Sequence, residues 1–327
     1  MIQRPLGRSG LSIAPLMLGG NVFGWTADRA ASFEILDRFV DAGLDAIDTA
    51  DIYSAWVPGH SGGESESTIG AWLHARGMRD RVRIATKVGG AMGPPGGPWQ
   101  RSLRADYIVS SLEGSLKRLR TDYIDLYQAH ADDPETPLEE TLEAFERLIK
   151  AGKVRVAGAS HFAPGRLAEA LEISGAGGLP RFETLQPRYS LCARDEFEGE
   201  VQAQCLRKGI GVLCYGVLAK GFLTGKFRSE GDVAGKVYAD FLRPHLGARG
   251  QQILKILEAI ADGHATTCAA VAIAWVLAQP GVAAAIAAVE TPGQLQDLLG
   301  AVELNLAPSE IAALNDAGGH AGDVPGA

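Results

Sequence analysis

The chain has 327 residues, 46% hydrophobic and 21% charged, with four cysteines and a formal net charge of −8. That composition suits a globular protein with a large core and no need of staples, and a mildly acidic chain without a long Lys/Arg run is poorly built to hold nucleic acid or an anionic membrane. The longest apolar run, residues 282–289, falls far short of the roughly 20 residues a membrane helix needs, and the first ten residues are polar, without an apolar signal core. A cytoplasmic protein is expected, with Cys192, Cys205, Cys214 and Cys268 as small thiols in a reducing compartment.

Taken in chain order, residues 6–13 read as a small hairpin that could plug the bottom of a barrel. The first β-rich run is 15–19, followed by an amphipathic helix over 28–42. The second is 46–50, with a helix over 65–76, and the third is 82–87, with a helix over 106–119 that carries Ile108, Leu112, Leu116 and Leu119 on one face. The fourth is 124–130. After it, Thr136-Pro137-Leu138-Glu139 reads as a capping box opening a helix with Leu138, Leu142, Phe145 and Ile149, stopped at Gly152. Runs at 154–160 and 184–189 are followed by helices over 164–173 and 198–208. The seventh run is 211–215 and the eighth 282–288, with two helices between them, near 251–261 and 267–278. Thr291-Pro292-Gly293-Gln294 is a second capping box.

Strand and helix repeated eight times predict a (β/α)8 barrel, here one domain over residues 1–327 with the hairpin and two extra helices added. The rival, a doubly wound open sheet binding a dinucleotide, calls for a Gly-x-Gly-x-x-Gly turn that opens a helix. The nearest match, Gly175-Ala176-Gly177-Gly178, leads into Leu179-Pro180 and reads as a surface loop. Residues 220–250 are Gly-rich without periodicity and read as a long functional loop at the end of the seventh strand.

In such a barrel the polar residues at the C-terminal ends of the strands carry the chemistry. Asp48, Lys87 and His130 end three successive strands, and Tyr53 follows the second by a few residues. Hydride delivered to a carbonyl carbon leaves an oxyanion that must be protonated. A tyrosine can supply the proton, a lysine beside it lowers its pKa, an aspartate keeps the lysine charged, and a neutral histidine polarises the carbonyl. A metal-dependent hydrolase on the same barrel would need clustered His and Asp ligands, which the seven histidines do not form.

Asp48-Thr49-Ala50-Asp51-Ile52-Tyr53, Ile84-Ala85-Thr86-Lys87 and Asp125-Leu126-Tyr127-Gln128-Ala129-His130 resemble the signatures of the aldo-keto reductases. The resemblance continues through Gly158-Ala159-Ser160-His161-Phe162, Gln186-Pro187-Arg188-Tyr189 and Gly221-Phe222-Leu223-Thr224-Gly225-Lys226 to the Gln294-Leu295 helix. Gly62-Gly63-Glu64-Ser65-Glu66 is most similar to bacterial branches that also resemble potassium-channel β-subunits.

The resemblance implies a (β/α)8 barrel, NAD or NADP as cofactor, the tetrad Asp48, Tyr53, Lys87 and His130 with Tyr53 as proton donor, and a small carbonyl or alcohol as substrate. It implies that Ser160 and Gln186 bind the nicotinamide carboxamide, with His161 where asparagine is usual, and that Tyr215 stacks on the ring. A loop from Gly216 through Leu218 to Lys226, aided by Lys226 or Arg228, would cover the pyrophosphate. Phe23, Trp25, Trp56 and Tyr189 are expected to form an apolar substrate slot, and residues 318–327 could shape it. After the eighth strand, Glu290 stands where relatives preferring NADP often carry arginine, and Leu298 where an asparagine commonly contacts adenine, while Gln294 opens the next helix. A carboxylate repels a 2′-phosphate and accepts from a ribose diol, so the expectation leans to NAD or dual use; a cation such as Arg228 or Lys236 is the alternative. The competing function is a cofactor-binding redox sensor with little turnover.

Overall fold

In the computed structural model, which describes residues 2–90 and 101–319, eight parallel strands close into a barrel. In chain order, a two-residue hairpin pairs β1 (Arg4–Pro5) with β2 (Ser12–Ile13). The barrel then begins with β3 (Leu16–Gly19), α1 (Arg29–Asp41), β4 (Ala46–Asp48), α2 (Glu64–Arg76), β5 (Arg83–Val88) and α3 (Ala105–Leu119). It continues through β6 (Ile124–Ala129), α4 (Leu138–Lys150), β7 (Val154–Ser160), α5 (Pro164–Gly177), β8 (Thr184–Gln186), α6 (Glu200–Lys208) and β9 (Gly211–Cys214). Four helices follow, α7 (Glu230–Val233), α8 (Ala239–Leu242), α9 (Ala248–Gly263) and α10 (Cys268–Leu277). The last strand β10 (Val282–Ala287) pairs with both β9 and β3 and closes the ring, and α11 (Pro292–Leu299) and α12 (Pro308–Gly318) end the described chain.

Strand periodicity divides the core in two. Alternate residues point inward, and Met17, Ala46, Ala85, Leu126, Val156, Leu213 and Ile286 fill the barrel interior. Their neighbours, among them Ile47, Ile84, Tyr127 and Ala157, face the helices and join the larger outer core. The same alternation aims Asp48, two residues past Ala46, into the barrel, along with Lys87, two past Ala85, and His130, four past Leu126. Site residues therefore share their inward rows with the small residues below them.

The hairpin plugs the lower end. Leu6 and Ile13 join the interior cluster, and Arg4 Nη1 donates to the carbonyls of Leu277 and Val282, each at 2.9 Å. Gly7 makes the approach possible. Its φ is +59°, and a Cβ there would lie 2.3 Å from the Glu183 carbonyl oxygen.

Three local expectations are corrected. Thr136 does not cap α4: its hydroxyl is taken by Asp133 Oδ2 at 2.7 Å, and the helix starts after Pro137. Gly175 to Gly177 form the last turn of α5, with left-handed Gly178 as its C-cap, so the stretch is not a loop. Residues 220–250 are not aperiodic coil either. They hold a 3-10 turn (Ala219–Thr224), α7, α8 and a second 3-10 turn (Arg243–Leu246), all too short to give a 3.6-residue pattern. The second capping box is half formed: Thr291 Oγ1 accepts from Gln294 N at 3.3 Å, but Gln294 Oε1 accepts from Glu290 N at 2.8 Å rather than from Thr291 N. Among the described residues no single helix is long and apolar enough to cross a membrane.

Candidate active site

The inward rows of β4, β5 and β6 converge at the C-terminal mouth of the barrel. Lys87 is fully buried, and its ammonium donates three hydrogen bonds: to Asp48 Oδ2 at 2.7 Å, to the Thr49 carbonyl at 2.8 Å and to Tyr53 Oη at 2.8 Å. That is the full donor capacity of the group. Tyr53, in the turn after β4, donates its own proton to Asp48 Oδ2 at 3.2 Å, longer than a usual O–H···O bond. The phenol oxygen is thus gripped by lysine while the hydrogen bond it donates to Asp48 is long.

The electrostatics differ from simple expectation. Burial, then Asp48, push the Tyr53 phenol well above its ordinary pKa, overriding the pull of Lys87 toward phenolate. Burial lowers the Lys87 ammonium, with Asp48 opposing it. Tyr53 is therefore a firmly protonated phenol. His130 lies just past β6, its amide held by the Val88 carbonyl at 2.7 Å, and burial followed by Lys87 drives its pKa well below the usual histidine value. A neutral imidazole results, 6.1 Å from the Tyr53 ring between centroids. Gly90 sets this approach, because a Cβ there would lie 3.0 Å from His130 Nδ1.

A cavity of about 1850 Å³ opens over the barrel mouth. Asp48, Tyr53, His130, His161, Gln186 and Tyr215 line its floor. Trp25 and Trp56 stand at one side, their rings edge to face at 5.7 Å, with Trp56 6.1 Å from Tyr53. Gly216, Leu218, Lys226, Glu290 and Gln294 line the other. His161 turns into the cavity through a left-handed backbone, φ +52°, and its ring meets the edge of Tyr215 at 5.4 Å.

Two of the four predicted slot residues do not reach it. Phe23 is fully buried in the outer core, since the turn after β3 sends Trp25 outward instead. Tyr189 is fully buried, donates to Glu198 Oε1 at 2.6 Å and stacks on Trp275 at 5.2 Å, so it fastens helices rather than lining a slot. Ser160 stands one layer back, donating to the Gln186 carbonyl at 2.8 Å. One N–H of Gln186 Nε2 is committed to Asp48 Oδ1 at 2.9 Å, which leaves its second N–H and its carbonyl oxygen for a ligand. Of residues 318–327, those from 320 on lie outside the described residues.

Several lining residues were missed. Lys220, Tyr238 and Phe241 come from the segment without periodicity; Lys220 Nζ sits 4.1 Å over the Tyr238 ring, and Tyr238 meets Trp25 at 6.3 Å. Arg188 lines the cavity while paired with Glu196 at 2.6 Å. Asp297, on α11, also lines the cavity and adds a second carboxylate to its wall. Arg228 is paired with Glu258, and its Nε donates to the Gly225 carbonyl.

The comparisons agree with this geometry. The aldo/keto reductase family model matches residues 15–318. The chain is similar to an uncharacterized oxidoreductase, YrpG, of Bacillus subtilis, at 38% identity over 95% of this chain and 94% of the relative. It is 33% identical to the aldo-keto reductase YhdN of the same organism, covering 89% of this chain and 84% of the relative. It is also 30% identical to a probable voltage-gated potassium channel subunit beta of Arabidopsis thaliana, over 93% and 92%. The chain belongs to the aldo-keto reductase family, whose members are oxidoreductases that generally use NAD(P)H on small carbonyl compounds.

Proposed function

We propose that the protein interconverts a carbonyl compound (aldehyde, ketone or sugar) and its alcohol, with Tyr53 as the proton donor in reduction and acceptor in oxidation. The observation that carries this reading is the hydrogen-bond set of Tyr53, gripped by Lys87 at 2.8 Å and bound to Asp48 only at 3.2 Å. Turning the phenol proton from Asp48 to a substrate oxygen breaks one long hydrogen bond, while the Lys87 ammonium stays in place to stabilise the oxygen left behind. His130, neutral, donates to the same substrate oxygen and polarises the carbonyl. Asp48 holds Lys87 charged, and Gln186 fixes Asp48.

The residues fit a nicotinamide dinucleotide. The cavity exceeds the roughly 300–1,000 Å³ of a usual single-ligand site, with room for two molecules. Residues Ala219, Lys220 and Gly221 all have positive φ, from +47° to +88°, a tight turn closed by the Ala219 and Gly221 amides on the Gly216 and Leu218 carbonyls, and Lys220 and Lys226 along it line the cavity, where cations suit an anion. Bound there, the cofactor supplies or accepts the hydride. Gln186 Oε1 and His161 would take the carboxamide, Tyr215 the ring face, Gly216 to Lys226 the pyrophosphate, and Trp25 and Trp56 the substrate body. Glu290 with Asp297 disfavours a 2′-phosphate, and Arg228 is already engaged by Glu258, so the reading leans to NAD or dual use, with Lys220, Lys226, Lys236 and Arg249 among the other cations that line the cavity.

The test is a carbonyl panel with nicotinamide deuterated at its transferable position. Deuterium at the alcohol carbon of the product is expected. Tight cofactor binding without transfer to any of a broad carbonyl and sugar panel would favour the second reading, a redox-reporting subunit, to which the similarity with the Arabidopsis channel subunit gives some support.

A further inference from the structure

Between β4, β5 and the helices α2 and α3 lies a second polar cluster that the proton chemistry above does not use. Glu66 of α2 is fully buried. Its Oε1 accepts from the Thr86 hydroxyl at 2.6 Å, and its Oε2 pairs with Arg118 of α3 at 2.7 Å. Asp51, in the turn after β4, is 4% exposed. Its backbone amide donates to the Lys87 carbonyl at 3.4 Å, and its Oδ1 has no hydrogen-bond partner among the described residues.

The charges do not balance. Asp48 answers Lys87 and Glu66 answers Arg118, each at 2.7 Å. Asp51 is the fifth charge, with no cation of its own among the described residues. A buried carboxylate without a countercharge is costly, and it takes up a proton instead. Burial first, and Glu66 second, push the Asp51 carboxyl up to about 7. The groups that face it are Glu66 from α2, Arg118 and Tyr107 from α3, Lys87 from β5, Tyr127 from β6 and Tyr53 from its own turn.

We infer that Asp51 is a positioning residue for the proton donor: by gaining or losing a proton behind Lys87, its carboxyl sets how strongly the ammonium is held and how readily Tyr53 gives up its proton. Ionised, Asp51 favours the charged lysine and disfavours the phenolate, so Tyr53 is a poorer acid; protonated, it exerts no such pull. Its consequence for turnover rests on the proposed carbonyl chemistry, but its coupling to Lys87 does not.

The experiment follows Lys87 directly. Protein loaded with NADH carries lysine labelled with carbon-13 at Cε, and the Lys87 signal is assigned by its loss in K87M. Wild type is expected to give an inflection near pH 7 that D51N lacks and that E66Q moves to lower pH. Alongside, wild-type carbonyl reduction falls several-fold from pH 6 to pH 8, and D51N loses that inflection. An inflection retained in D51N belongs to another group, such as His161, and overturns the inference. If D51N fails to fold, E66Q decides, because an unmoved inflection contradicts the charge balance drawn here. If no carbonyl is reduced but the Lys87 inflection still vanishes in D51N, the coupling stands and the proposed function fails.

Discussion

The two ends of the cavity are built on opposite principles. At the barrel mouth, Asp48 and Lys87 are buried on regular strands, and every bond of the ammonium is made within the protein. At the far end, Glu290 is exposed, Lys226 and Lys236 sit on a segment of short turns, and Arg228 with Glu258 forms a pair half open to solvent. Charges in the first region act in low dielectric and cannot be moved without large effects; those in the second are screened and exchangeable. The difference teaches which part of the reading is chemistry and which is preference.

The contrast can be broken or sharpened by substitution. The largest effect is expected from Lys87→Met. It removes the ammonium from Tyr53 and leaves Asp48 as an uncompensated buried charge. A loss of about 10²–10⁴ in kcat is expected in steady-state assays, and about 3–5 kcal/mol of stability in denaturant titration.

Asp51→Asn comes next, and its sign follows from linkage. The folded carboxyl titrates at about 7 against an ordinary 3.8, so the native state binds the extra proton and the ionised form is penalised. That stability is complete at low pH and is lost as pH rises from about 4 to about 7. The neutral amide escapes the penalty, so the variant should gain, relative to wild type, on the order of 4 kcal/mol between pH 4 and pH 8. Thermal unfolding at the two pH values checks this, and a difference that does not change with pH would contradict it.

Gly90→Ala should displace His130 while leaving the Asp48–Lys87 pair intact. A shift of a fraction of an ångström in the polarising group is expected to cost about tenfold to a hundredfold in kcat with cofactor affinity unchanged. At the exposed end, Glu290→Arg should act on affinity alone, improving NADPH over NADH by about tenfold in fluorescence titration with kcat kept. Wild type binding NADPH more than tenfold tighter than NADH would overturn the lean toward NAD. A large fall in kcat from the same substitution would erase the contrast between the two ends.

What could be read from the sequence divides along the same line. Parallel strands buried on both faces appear as short apolar runs, and the inward row of each can be counted to its end, which is why Asp48, Lys87 and His130 were visible. The turn after β3 has no such period, so nothing distinguished buried Phe23 from Trp25 two residues on. Tyr189 follows β8 in sequence, but its place is decided by Glu198 and Trp275, which no local pattern connects to it. Thr136 carried a capping signature that Asp133 competed away. Lys220 lies in a 3-10 turn and Tyr238 caps the four-residue α8, segments below the length at which helical periodicity is detectable. The charge imbalance at Asp51 depends on α2 and α3 packing Glu66 and Arg118 behind β5, a tertiary fact without a linear trace.

The central claim is that Tyr53, held by Lys87, delivers the proton. Its most direct test is Tyr53→Phe, measured twice on one preparation: carbonyl-dependent oxidation of NADH, and binding of NADH by fluorescence. Turnover reduced by about 10²–10⁴ with the dissociation constant within about twofold of wild type is the predicted result. Turnover retained with the phenol removed would contradict the account, because among the described residues no other protonated group on the cavity floor is gripped by a buried ammonium.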